Sequence, residues 1–243
     1  MGFSRATDKV VIARNFTPAS RSRGDVKYVV LHTMESPEEA DTAENVAAWF
    51  AGSTAPQTSA HYAVDNNSIV GMVDESDIAW AAPGANTNGM HIEHAGQAAQ
   101  TAAQWQDAYS RGELNESAKL CADILKRWGI RKAHPSNSEL AAGSGGVIGH
   151  DQVSEVIDPG AGHWDPGPNV PWREYMEDVH ALLDNRKWQV QLRLGNQVIA
   201  RSRNVGTLKL VSMFKEFSRE KAAKIAKLRT EGKKPIVRIA RVG

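Results

Sequence analysis

Residues 27–34, KYVVLHTM, are a short apolar run with consecutive β-favouring side chains, which predicts a buried strand ending at His32. DTAENVAAWFAG reads as a short helix, with Asp41 or Thr42 as its cap and Gly52 as its stop. SAHYAVDNNSIVGMV reads as two strands around a turn at Asn66-Asn67, a pair that tolerates positive φ. GMHIEHAG is a further strand candidate. From about Asn115, NESAKLCADILKRWGI places Ala118, Cys121, Ala122, Leu125 and Trp128 on one helical face. WREYMEDVHALLD is another amphipathic helix, whereas the first 24 or so residues show no regular pattern. Beyond it, WQVQLRLGNQVIARSR alternates on both sides of Gly195-Asn196, as a hairpin does. Residues 208–230 then have helical spacing, with Leu208, Val211, Phe214, Ile225 and Leu228 as the apolar positions, and KPIVRIARV closes as a strand. The pattern therefore predicts strands interspersed with helices up to about residue 184, followed by a small β-β-α-β unit.

Charge sharpens the division. Up to Asp184 there are 13 Lys and Arg against 25 Asp and Glu; from Asn185 onward there are 16 against 3. Such a break predicts two modules, 1–185 and 186–243, that meet different surroundings. No run approaches the roughly 18 apolar residues of a membrane span, and the N-terminus lacks the apolar core of a secretory signal. The single cysteine, Cys121, excludes an intrachain disulfide and sits in a helical stretch as a small buried hydrophobe.

Chemistry concentrates in GHDQVSEVIDPGAGHWDPGP, residues 149–168, which holds two histidines, three aspartates, a glutamate and two copies of Asp-Pro-Gly. Zinc is held well by imidazole and carboxylate, and a catalytic site keeps one position open for water. With one cysteine, eight histidines (32, 61, 91, 94, 134, 150, 163 and 180) and the acids must supply any ligands. His32 ends the first strong strand. His150 follows a Gly-Gly-Val-Ile-Gly run that allows close backbone approach, and prolines at 166 and 168 stiffen the segment carrying His163 and Asp165.

VVLHTM, SAHYAVD, HIEHAG and then GHDQV with HWDPGP, in that order over residues 25–185, resemble the zinc-dependent N-acetylmuramoyl-L-alanine amidases, a family that includes phage lysins and the peptidoglycan recognition proteins. The resemblance implies an α/β (α+β) fold, a mixed central sheet flanked by helices with a zinc groove, in which Zn2+ is held by His32, His150 and Asp165. Asp165 is preferred over Asp158 because Pro168 completes its motif and His163 stands two residues before it; Val156 and Ala161 occupy the matching places around Asp158, which is expected to form an ordinary turn. It implies Glu93 as the catalytic acid and base and His163 as the group that stabilises the oxyanion. Ala60 stands where many members have a tyrosine near the metal, which leaves more of the proton transfer to Glu93.

Trp80 and His91 are candidate substrate contacts. Ala81-Ala82-Pro83-Gly84 departs from the Trp-His-Ala-Gly that many members carry after the tryptophan. His61 is expected to pack within the sheet, and His134 and His180 read as surface or helix residues. The implied activity is hydrolysis of the amide between N-acetylmuramic acid and L-alanine in peptidoglycan. The organisation resembles most an endolysin of a phage infecting an actinobacterium, made in the host cytoplasm, acting as a monomer and reaching the wall at lysis. The cationic module is expected to meet anionic wall polymers rather than nucleic acid. The rival reading is a non-catalytic peptidoglycan-binding or regulatory module on the same fold, which the complete His, His, Asp set disfavours.

Overall fold

The computed structural model describes residues 2–184, 187–194, 197–201, 217, 220–231 and 234–242. Two compact units are present, Met1–Val179 and His180–Gly243.

The first unit is built on six strands: β1 (Lys9–Val10), β2 (Tyr28–Thr33), β3 (Tyr62–Val64), β4 (Ile69–Gly71), β5 (Gly89–His94) and β6 (Gly146–Gly149). Their order across the sheet is β1-β4-β3-β5-β2-β6, with β3 and β4 antiparallel and every other pair parallel. β2 lies between two parallel neighbours and is buried along its whole length, as expected of a strand covered on both faces. The β3–β4 turn is held by Asp65, whose Oδ1 accepts from the Asn67 and Ser68 amides at 3.0 and 2.8 Å.

Helices α1 (Thr42–Ala51), α2 (Ala108–Trp128), α3 (Asn137–Ala141), α4 (His150–Gln152) and α5 (Trp172–Leu183) follow in chain order. α2 begins seven residues earlier than the apolar periodicity predicts. Asp107 caps it by accepting from the Ser110 amide at 2.9 Å, and a Cβ on Gly112 would stand only 3.2 Å from Asn66. The early turns of α2 thus pack closely on the β3–β4 turn with a residue that reads as a helix breaker. The predicted face, Ala118, Cys121, Ala122, Leu125 and Trp128, is buried.

The irregular N-terminal segment is tied into this unit by polar contacts. The Ser4 amide donates to Tyr62 Oη at 2.8 Å, and buried Arg21 donates to the Gly89 and Glu75 carbonyls at 2.8 and 2.9 Å. Glu75, fully buried, accepts from Arg127 Nη1 and Nη2 at 2.5 Å each, from Trp128 Nε1 at 2.6 Å and from Tyr62 Oη at 2.5 Å. A buried carboxylate with this many donors is compensated for its lost hydration.

β6 escapes a reading by periodicity because two of its four residues are glycine. Glycine is required there: a Cβ on Gly146, at φ +146°, would lie 2.2 Å from the Ala133 carbonyl oxygen, and one on Gly145 would lie 2.5 Å from that of Lys27. β2 supplies the ladder that makes the segment a strand.

The second unit contains β7 (Lys187–Leu194), β8 (Gln197–Arg201), α6 (Ala222–Thr230) and β9 (Pro235–Val242), with β7 between β8 and β9 and both pairings antiparallel. This is the β-β-α-β order expected from the sequence. Leu192 and Phe217 are buried, and α6 half-buries Ile225 and Leu228 while exposing Lys224, Lys227 and Arg229. The hairpin tip at Gly195-Asn196 and the apolar positions Leu208, Val211 and Phe214 lie outside the described residues.

Candidate metal and catalytic centre

The register of three parallel strands assembles the site. His32 pairs with Glu93 across β2 and β5, and Leu31 pairs with Gly149 across β2 and β6. The residue after Gly149 is His150, the first of α4, so it is delivered beside His32 at the carboxyl ends of adjacent strands. Ligands of open parallel sheets are commonly bound at that end.

Asp165 arrives from the far side of an excursion through residues 153–164. A π-helical turn, Val153–Ile157, leads into a turn at Asp158. The chain then returns so that the Asp151 amide donates to the Asp165 carbonyl at 2.8 Å. The Asp165–Pro166 peptide is cis. Asp158 stands apart from the cluster, with its Cβ against Gly84.

His32 Nδ1 lies 3.1 Å from His150 Nδ1 and 3.1 Å from Asp165 Oδ2, and His150 Nδ1 lies 3.0 Å from Asp165 Oδ1. Among the described residues these three form the group able to hold a metal ion. Zinc bonds of about 2.0–2.1 Å in a tetrahedron separate ligand atoms by roughly 3.3 Å. Two buried imidazole nitrogens and a partly exposed carboxylate, converging at this spacing, fit that ion in donor type and in separation.

The electrostatics follow from burial and proximity. Burial opposes ionisation of Asp165, but hydrogen bonds with His150 and His32 outweigh it and hold the carboxyl well below its ordinary range. Burial lowers His32, with Asp165 acting in the opposite sense. Glu93 is raised well above the usual carboxylate range, by burial first and then by the charges of Asp165 and Glu35. Its Oε2 is buried and has no hydrogen-bond partner among the described residues. A cation bound beside it would act to lower it again.

These groups line a cleft of about 430 Å³ that also includes Thr33, Glu35, Thr58, Ala81, Ala98, Gly162, His163 and Trp164. His163 stands at the mouth, its side chain 52% exposed and 3.9 Å from Asp165, its ring stacked on His150 with centroids 4.1 Å apart. Trp164, 54% exposed on the cleft wall, carried no signal in the sequence beyond its place between His163 and Asp165. Glu35, another lining residue, is the one described non-glycine residue at positive φ (51°). Its carboxylate accepts from Thr33 Oγ1 and the Ala98 amide at 2.7 and 2.8 Å, two contacts that hold an otherwise disfavoured backbone.

The two candidate substrate contacts are placed elsewhere. Trp80 is half-buried, and its Nε1 donates to Thr17 Oγ1 at 2.8 Å; its neighbour Ala81, not Trp80, lines the cleft. His91 is 0% exposed and lies behind His32, with its Nδ1 3.1 Å from His32 Nε2. A side chain two residues before Glu93 shares its face of the strand, but here that position is below the floor of the cleft. His61, also buried, accepts from the His91 amide at 3.1 Å. His94 is buried on the opposite face, 2.7 Å from Ser117 Oγ, and burial lowers its pKa to about 4. His134 stacks on Trp172 with centroids 4.0 Å apart.

Comparison with known proteins gives a consistent grouping. The family described as N-acetylmuramoyl-L-alanine amidase matches residues 22–168. N-acetylmuramoyl-L-alanine amidase A of Achromobacter lyticus is 30% identical over 181 residues, spanning 71% of this chain and 92% of that protein. The fold is similar to that of the Staphylococcus aureus hydrolase AmiA solved with its ligand, with a TM-score of 0.54 and 17% identity over 72% of this chain and 80% of that one. It is also similar to a point mutant of PlyL, with a TM-score of 0.50 and 13% identity over 71% of this chain and 98% of the other.

Proposed function

The chain belongs to the N-acetylmuramoyl-L-alanine amidase family, and from that premise we propose that it hydrolyses the amide between N-acetylmuramic acid and L-alanine in peptidoglycan, using a zinc ion held by His32, His150 and Asp165. The observation that supports this reading is the convergence of those three side chains at 3.0–3.1 Å beside Glu93, on one open cleft. A non-catalytic wall-binding module would need neither a complete donor set nor an unpartnered carboxylate next to it.

Zinc in this site would polarise the scissile carbonyl and make water more acidic. Glu93 takes the proton of the attacking water and delivers it to the departing amine. His163, at the cleft mouth, donates a hydrogen bond to the oxygen that becomes negative as the carbonyl turns tetrahedral. Asp165, ionised across the neutral range, contributes the negative charge of the donor set, while His32 and His150 contribute neutral nitrogen.

The two charge regimes extend the reading to the whole chain. Residues 1–185 carry the catalysis, and the cationic residues 186–243 hold the enzyme on anionic wall polymers. The role we infer is lysis of an actinobacterial host by a phage enzyme. None of the described helices is long and apolar enough to cross a membrane.

The direct test is metal content together with a mass spectrum of digested wall. The wild-type chain should hold one zinc and release intact stem peptides with a free L-alanine amine. Asp165→Ala should lose both the metal and the turnover. Zinc and turnover that survive Asp165→Ala would refute the ligand assignment, and a zinc-loaded wild-type chain that releases no stem peptide would refute the activity.

A further inference from the structure

His91 is fully buried and has no access to substrate, yet it makes a specific contact with a proposed metal ligand. Its Nδ1 lies 3.1 Å from His32 Nε2, the ring nitrogen that faces away from His150 and Asp165. We propose that His91 is the positioning residue of the metal site: it accepts the Nε2–H of His32, fixing the tautomer and ring angle that aim His32 Nδ1 at the metal. The proposal rests on the zinc reading given above.

Proton accounting sets the direction of this hydrogen bond. A neutral imidazole has one N–H and one lone pair. If His32 Nδ1 offers its lone pair to the metal, its proton stands on Nε2, and the group facing that proton must accept. His91 Nδ1 is in place to do so. Ligating histidines commonly pass this rear proton to a carboxylate, a carbonyl or water; here a second imidazole stands in that position.

The surroundings hold His91 for this purpose. Its backbone amide donates to His61 Nδ1 at 3.1 Å, and the two rings lie nearly parallel, 14° apart with centroids separated by 5.6 Å. Space for the ring comes from Gly89: a Cβ there would lie 2.8 Å from His91 Nε2 and 2.5 Å from the Ala85 carbonyl oxygen. Among the described residues the rear nitrogen of His150 is buried without a partner, as is Nε2 of His91, and the His150 ring is stacked on His163. Of the two imidazoles, His32 is therefore the one whose orientation depends on a hydrogen bond.

The test compares His91→Leu, which keeps bulk and removes the acceptor, with His91→Asn, whose side-chain oxygen can stand near the place of Nδ1. Zinc affinity is measured on the full chain by competition with a chelator, beside wild type and Asp165→Ala. His91→Leu should weaken zinc by about 10–100-fold, the range found when such supporting partners are removed, and His91→Asn should recover most of that loss. Equal weakening by both variants, or none by His91→Leu, overturns the proposal. Should His91→Leu fail to fold, nitrogen-15 NMR of the zinc-loaded wild-type chain decides instead. A His32 proton on Nε2 supports the proposal, and a proton on Nδ1 overturns it. If Asp165→Ala binds zinc as tightly as wild type, the zinc reading itself has failed, which is a separate result.

Discussion

Glu93 and His32 are paired in register on neighbouring strands, yet they are asked for opposite things. His32 is held on its rear face by His91, while Glu93 Oε2 has no hydrogen-bond partner among the described residues. A supported ligand beside an unsupported carboxylate suits a site in which one group stays and the other exchanges protons. Glu93→Gln should therefore retain zinc at wild-type affinity and lower kcat by about 10²–10⁴-fold, the usual range for removal of a general acid–base group. Zinc analysis alongside single-turnover kinetics checks both halves, and loss of metal in that variant would show that Glu93 acts as a ligand instead. At this scale the sequence was informative where residue type and motif coincide, as at His32, His150 and Asp165. It was misleading at His91, because alternation along a strand reports the face of a side chain and not its depth.

α2 carries a buried acid with no such exchange to perform. Glu113 is fully buried, and its pKa is raised well above the usual carboxylate value, by burial first and then by Glu38, with the Ala95 amide opposing. The folded state thus binds this proton more tightly than the unfolded one. Its stabilising contribution is complete below the unfolded pKa near 4.3 and is lost as pH rises towards the folded value. Glu113→Gln should leave Tm little changed at pH 4 and raise it increasingly between pH 5 and pH 8. Parallel thermal scans would detect this, and a constant difference across that window would contradict it. Elements were legible where an apolar period was sustained, as in β2, α1, α2 and α5. β6 and the start of α2 were not, because their glycines serve close contacts, Gly146 with Ala133 and Gly112 with Asn66, that only the folded neighbour reveals. The N-terminal segment was opaque for a related reason: polar contacts such as those of Arg21 hold it, and they leave no period.

Across the whole molecule, the sequence divides by charge near Asp184 and the fold separates into Met1–Val179 and His180–Gly243. An acidic unit carrying the cleft would on its own be repelled by a polyanionic wall, and a cationic unit offsets that repulsion. Binding of the full chain to isolated walls should therefore weaken steeply as salt rises, since attraction between exposed charges is screened over about 8–10 Å at 0.10–0.15 M ionic strength. Stripping the anionic polymers from the walls should weaken it similarly at low salt. Sedimentation of wall-bound protein measures both, and binding indifferent to salt and to stripping would remove the proposed role of residues 186–243. The cationic composition was plain from sequence, whereas the partner it serves depends on surfaces outside the chain.

The hydrogen bond from the Asp151 amide to the Asp165 carbonyl closes the stretch between them at its neck. Whatever length of chain lies beyond a closed neck can change without moving the two residues that form it. Gly160 lies on this excursion with open space where a Cβ would stand, and each doubling of such a loop adds only about 0.6 kcal/mol of closure entropy. Four Gly/Ser residues inserted after Gly160 should leave zinc affinity within about twofold of wild type, as chelator competition would show. The neck thus separates a segment open to changes in length from the two residues that it fixes.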